Sequence, residues 1–97
     1  MTKEQRFTAL NRIGCIVCRI HFQAWSEPHI HHLQGIKYRA MGKKAHFTHT
    51  IPLCPSHHQH GSKITPSVHG QPAAFETQYG TQEELLNATN KMIEAMA

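Results

Sequence analysis

Two short patterns far apart in the chain constrain its folding more than any other feature: Cys15-Ile-Val-Cys18 and Cys54-Pro-Ser-His57. A Cys-x-x-Cys turn lets two thiolates converge on one tetrahedral ion, whose shell is closed by two more sulfur or imidazole ligands from elsewhere. Cys54 and His57 are suited to this, because residues three apart at a helix start lie on nearly one face, about 5–6 Å apart at Cβ. The set Cys15, Cys18, Cys54 and His57 then staples an N-terminal turn to the start of a later helix. His60 and His69 are the alternatives for the fourth position. A redox pair at Cys15 and Cys18 is the weaker reading, since no thioredoxin-like βαβ pattern surrounds them.

A chain of 97 residues makes at most one domain, with a modest core that a metal staple would help to hold. Its three cysteines cannot all pair with one another, and no charged-then-apolar leader precedes them, so an intracellular metal site is expected in place of a disulfide framework. No apolar run approaches the roughly 18 to 20 residues that span a bilayer, so a soluble, cytoplasmic protein is expected. The net charge is +4, and its placement matters more than its size. From Pro28 through Phe75 there is no Asp or Glu, whereas Lys37, Arg39, Lys43, Lys44 and Lys63 all fall there. Such a stretch attracts polyphosphate, which makes nucleic acid the leading partner; the ordinary alternative is a solvated loop that carries lysines.

Caps and breakers outline the elements. Thr2 with Gln5 resembles a capping box and Gly14 a stop, which predicts a first helix over 3–13. Arg19 to Trp25 has strand-like content, and His29 to Leu33 reads as extended after Glu27-Pro28. Gln34 to Thr48 reads as a loop, and Thr50 to Leu53 as a second short strand. Pro55 to His60 can begin a helix, with proline where a missing amide proton costs little. Gly61 to Gln71 is turn-rich, and Pro72 to Tyr79 a short helix. Thr81 with Glu84 then caps a last helix to about Ala95. Its stripe of Leu85, Leu86, Met92, Ile93 and Met96 offers a face for the core or for a homodimer.

All ten histidines lie between His21 and His69, and His31-His32 with His58 form a second constellation. Adjacent residues on a strand point to opposite sides, and His57 and His58 point about 100° apart around a helix, so neighbours need not share one ion. One imidazole of the His31-His32 pair can ligate a divalent ion while the other, near an ordinary pKa of about 6.5, takes a proton from water. That division of labour suits phosphodiester hydrolysis. His21, His29 and His46, taken singly, read as surface or hydrogen-bonded residues.

The order Cys-x-x-Cys, histidine doublet, Cys-x-x-His-His resembles the zinc-containing HNH, or ββα-metal, endonucleases over Cys15 to about His60. Pro28-His-Ile-His-His32, Thr50-Ile-Pro-Leu-Cys-Pro-Ser-His-His58, Ser67-Val-His-Gly70, Phe75, Tyr79-Gly80 and Leu85-Leu86 more narrowly resemble the phage-encoded Ref family of RecA-dependent recombination-enhancement nucleases. The resemblance implies a small α+β zinc-stabilised domain. It would have a ββα-metal, treble-clef-like core over 15–64, with short strands and long loops. Flanking helices would cover 3–13 and 72–95. It further implies His31 and His58 as ligands of a catalytic metal and His32 as general base. The position of the usual HNH asparagine is His49, which cannot reproduce an amide's combined donor and acceptor geometry. Where some members have a last metal ligand, this chain has Ser62; His69, which recurs in the Ref-like Val68-His69-Gly70, is preferred in its place, with His60 or water as the alternatives. Ref proteins carry a basic arm before this domain, whereas fourteen residues precede Cys15 here, so action with RecA filaments rests on the resemblance alone.

The expected mechanism is single-metal hydrolysis of DNA, with Mg²⁺ or another divalent cation as working ion and structural Zn²⁺ at the cysteine site. Lys37, Arg39, Lys43 and Lys44 would hold the backbone with little sequence specificity. The rivals are a non-catalytic zinc module that binds DNA or protein, and a metal-storage or sensing peptide.

Overall fold

Helix α1 (Lys3–Ile13) begins and ends where its caps dictate. Thr2 Oγ1 accepts from the Gln5 amide at 3.1 Å while Gln5 Oε1 accepts from the Thr2 amide at 2.8 Å, which satisfies two otherwise unpaired donors. Gly14 ends the helix at φ +75°, and a Cβ there would lie 2.6 Å from the Trp25 ring, so the turn into Cys15 demands glycine. The computed structural model describes residues 1–35, 37–40 and 42–96.

The segment expected to be strand-like is instead mostly helix: α2 spans Ile16–Phe22, and Gln23 closes it in the left-handed region at φ 51°. Its β-branched content reflects one-sided burial, with Ile16 and Val17 fully enclosed while Phe22 is exposed. Tertiary burial overrides intrinsic preference here. A helix also returns Cys18 to the face of Cys15, whereas a strand would send residues three apart to opposite faces.

Strands β1 (His29–His32) and β2 (Thr50–Leu53) form an antiparallel ribbon with His31 opposite Ile51 and His32 opposite Thr50. A single 3₁₀ turn (Phe47–His49) leads into β2, and the His49 carbonyl accepts from the Leu33 amide at 3.0 Å, extending the pairing by one residue. Helix α3 (Pro55–His58) follows at once, shorter than the expected stretch to His60. Helices α4 (Pro72–Tyr79) and α5 (Gln82–Met96) complete the chain. The α5 start is held by a second reciprocal cap, Glu84 amide to Thr81 Oγ1 at 3.1 Å and Thr81 amide to Glu84 Oε1 at 3.0 Å.

Leu33, Ile51, Leu53, Phe75, Leu85 and Leu86 form the centre of the core, with Met92 and Ile93 packed against its edge. Of the apolar stripe of α5, Leu85 and Leu86 are thus used inside the fold, Met92 and Ile93 pack on its edge, and Met96 stays exposed. Arg6 is buried and ties three elements together. Its guanidinium donates to Thr50 Oγ1 at 3.0 Å, to the Thr50 carbonyl at 2.6 Å and to Asn90 Oδ1 at 3.0 Å. No helix among the described residues is long and apolar enough to cross a membrane.

Candidate metal centres

Cys15 and Cys18 come from the first turn of α2, Cys54 and His57 from the turn that opens α3, and their four ligand atoms lie within 4.8 Å of one another. His57 Nδ1 stands 3.6, 3.7 and 3.2 Å from the sulfurs of Cys15, Cys18 and Cys54, and Cys18 Sγ lies 3.9 Å from Cys54 Sγ. Sulfur at about 2.3 Å and nitrogen at about 2.0–2.1 Å from a tetrahedral zinc stand about 3.5–3.8 Å from each other, which matches this arrangement. Burial pushes the Cys15 thiol up to about 12. Only a cation at the centre of the group makes the thiolate favourable there, since a coordinating thiol is deprotonated outright. Phe22 stacks on His57 at 6.2 Å between centroids and Tyr79 meets its ring edge-on at 5.0 Å, while Cys18 remains half-buried. The group can hold a metal such as zinc. Of the alternatives for the fourth ligand, His60 is in neither metal-competent group and His69 belongs to the other one.

The second group is His31, His58 and His69. His31 is delivered by β1 and His58 by the last residue of α3. His69 arrives on a strap laid against α3, where the Val68 amide donates to the His57 carbonyl at 2.8 Å and the His69 amide to the His58 carbonyl at 3.1 Å. Gly61 permits that approach, because a Cβ there would lie 2.3 Å from the Ser67 amide nitrogen. His58 Nε2 and His69 Nε2 stand 3.2 Å apart, and the three ring centroids are 4.8, 5.0 and 5.2 Å from one another. His31 and His58 are buried while His69 is exposed, so the group opens to solvent on one side. Burial lowers both His31 and His58 to about 4, which leaves them neutral at pH 7 with lone pairs available for a cation. A cleft of about 260 Å³, floored by Val68, Pro72 and Phe75, opens beside His69.

Two further residues stand behind these ligands: His29, expected as a surface or hydrogen-bonded residue, and Gln82, which the sequence does not single out. His29 Nδ1 lies 3.3 Å from His58 Nδ1, and Gln82 Oε1 lies 2.9 Å from His31 Nε2. His29 shares the side of β1 with His31, as alternate residues do, a signal available in His29-Ile-His31. Gln82 carries no local signal, because its partner is 51 positions away.

His32 is outside the three-histidine group. Strand alternation turns it away from His31, and burial together with the positive charges of Lys44 and Lys3 lowers its pKa. His49 makes no side-chain bond to His32: its Nδ1 is 3.3 Å from Thr48 Oγ1 and its ring lies against Tyr38. His46 caps the 3₁₀ turn through the Thr48 amide, and His21 packs on Tyr79. Ser62 Oγ accepts from the amides of Ile64 and Thr65 and so closes a turn. Arg39, Lys43 and Lys44 are exposed, whereas Lys37 pairs with Glu83 at 3.0 Å.

Residues 1–94 match the family model described as recombination enhancement, RecA-dependent nuclease. The chain belongs to this family. Among proteins similar to this RecA-dependent nuclease family member is the uncharacterized protein YdfU of Escherichia coli (strain K12), 41% identical over 56 residues. That alignment takes in 58% of the chain and 14% of YdfU, so the chain spans only a small part of that relative. Both candidate metal groups lie inside the family match.

Proposed function

We propose that this chain is a metal-dependent DNA endonuclease of the ββα-metal, HNH type, a single domain acting in phage recombination within a bacterial host on DNA presented by RecA filaments. The observation that carries this reading is the convergence of His31, His58 and His69 where β1 meets α3, one side open, beside a separate sulfur-rich group suited to a structural ion. Family membership and the order β1, β2, α3 support it.

His31, His58 and His69 would hold a divalent ion, which would supply Lewis-acid polarisation of a phosphate oxygen and offset charge on the leaving 3′ oxygen. Of the divalent cations expected, the donor set favours ones other than Mg²⁺. Three neutral imidazoles suit zinc, nickel or iron, whereas Mg²⁺ demands oxygen ligands, and no carboxylate is part of this group among the described residues. His32, held neutral by burial and by Lys44 and Lys3, takes a proton from the attacking water. His49 extends the β1–β2 pairing through its carbonyl, which holds the Leu33 amide next to His32. Arg39, Lys43 and Lys44 meet backbone phosphates without reading bases, and Lys37 exchanges its exposed contact with Glu83 for a phosphate at little cost. The products carry 5′ phosphates.

Supercoiled plasmid incubated with the purified chain tests this, with Mg²⁺, Zn²⁺, Co²⁺ or Ni²⁺ supplied singly, with and without RecA filaments. Metal-dependent nicking that His31→Ala removes is expected. Absence of nicking under every condition overturns it. A second reading, a non-catalytic zinc module that binds DNA, is favoured by the separation of His32 from the three-histidine group; it predicts DNA retention without cleavage.

A further inference from the structure

We propose that Gln82 is the positioning residue of the three-histidine group: it fixes His31 in the tautomer protonated at Nε2, leaving Nδ1 as the nitrogen that binds the ion. This rests on reading the group as a metal site. Gln82 sits at the first position of α5, and its amide orientation is set by two backbone bonds to Gln34. Its Oε1 accepts from the Gln34 amide at 2.9 Å, and its Nε2 donates to the Gln34 carbonyl at 3.3 Å. The atom facing His31 Nε2 at 2.9 Å is therefore a carbonyl oxygen, which accepts and never donates. The proton of the neutral imidazole must then reside on Nε2. His31 Nδ1 is buried and has no hydrogen-bond partner, although an unpaired buried acceptor is costly. A cation coordinated at Nδ1 resolves that cost.

A carboxylate or carbonyl behind a ligating histidine both orients the ring and raises its basicity, and its loss weakens metal affinity by about 10- to 100-fold. Here the device also fastens α5 to the end of β1, so ring orientation and the position of the strand end are set by one side chain.

The test compares the parent chain with Gln82→Leu and Gln82→Glu, each with its cysteine-site zinc retained. ¹⁵N NMR of the histidine rings reads the His31 tautomer without the second ion. Titration with Co²⁺ then reads affinity and which nitrogen is bound. The parent is expected to carry Nε2–H on His31 and to bind Co²⁺ through Nδ1. Gln82→Leu should mix the tautomers and weaken Co²⁺ binding about 10- to 100-fold. Gln82→Glu, which keeps the acceptor but loses the bond to the Gln34 carbonyl, should hold the tautomer and bind at least as tightly as the parent. A parent His31 protonated at Nδ1, or bound through Nε2, overturns the inference without any variant. So does Gln82→Glu failing as badly as Gln82→Leu, which would make the Gln34 clamp the whole role. Neither readout uses cleavage: a chain that behaves as stated but cuts no DNA defeats the nuclease reading alone.

Discussion

His58 and His69 meet nitrogen to nitrogen across 3.2 Å. With His29 at 3.3 Å on its other nitrogen, His58 is engaged on both sides of its ring, and a neutral ring has one proton to give. Two Nε2 lone pairs cannot face each other at that distance without a proton or a cation between them. His69→Ala is therefore expected to remove the second ion while leaving one zinc per chain and an unchanged circular dichroism spectrum. Metal analysis finding two ions in the variant would exclude His69 as a ligand.

Loss of the sulfur-rich group should be far more damaging. Cys15→Ser or Cys54→Ser removes a ligand from the group joining α2 to α3, in a chain whose apolar core is small. Structural zinc contributes so much to folding in small domains that the melting temperature should fall by roughly 15 °C or more, each kcal/mol being worth about 4–8 °C at this size. A strong chelator should have the same effect on the parent. A melt indifferent to chelation contradicts the staple.

Acid should destabilise the chain when the three-histidine group holds no ion. His31 and His58 titrate near 4 in the fold, against an ordinary 6.5. Between those values the unfolded chain binds protons that the folded chain does not, so stability is present above about 6.5 and is lost as pH falls towards 4. Thermal melts across that range, after mild chelation that spares the cysteine site, should show the decline; a flat profile would contradict the burial of these rings.

Arg6→Met keeps the length of the side chain and removes its donors to Thr50 and Asn90. Since hydrogen bonds to charged groups are worth about 1.5–3 kcal/mol, and methionine packs in partial compensation, a net loss of about 3 kcal/mol is expected in urea unfolding. Wild-type stability in the variant would mean that desolvating the guanidinium cancels its bonds.

His32→Ala should abolish nicking with zinc content and fold intact, and Lys43→Ala with Lys44→Ala should reduce DNA affinity and lower the salt slope by about 2. Full nicking by His32→Ala would transfer the proton-accepting role elsewhere.

Sequence legibility followed the range of the interaction. Thr2 with Gln5 and Thr81 with Glu84 are caps closed within three residues, so the starts of α1 and α5 could be read directly. The spacing of Cys54 and His57 likewise encodes its own geometry. Arg19 to Trp25 has strand-like content in Ile20, Phe22 and Trp25, and the packing of Ile16 and Val17 under the core is what carries the helix through Phe22. His29 is legible as a hydrogen-bonding residue on the His31 side of β1, whereas Gln82 acquires its role only when the fold brings it to His31.

The strap carrying His69 imposes an order on assembly. Every residue of the sulfur-rich group is available once the chain has been made as far as His57, but the neighbouring group lacks His69 until the strap before α4 has followed, and His31 lacks Gln82 until α4 and the start of α5 have followed. A nascent chain emerging from the ribosome can thus secure its first ion well before it can form the second site. Any hydrolytic power would be withheld until the C-terminal helices have docked.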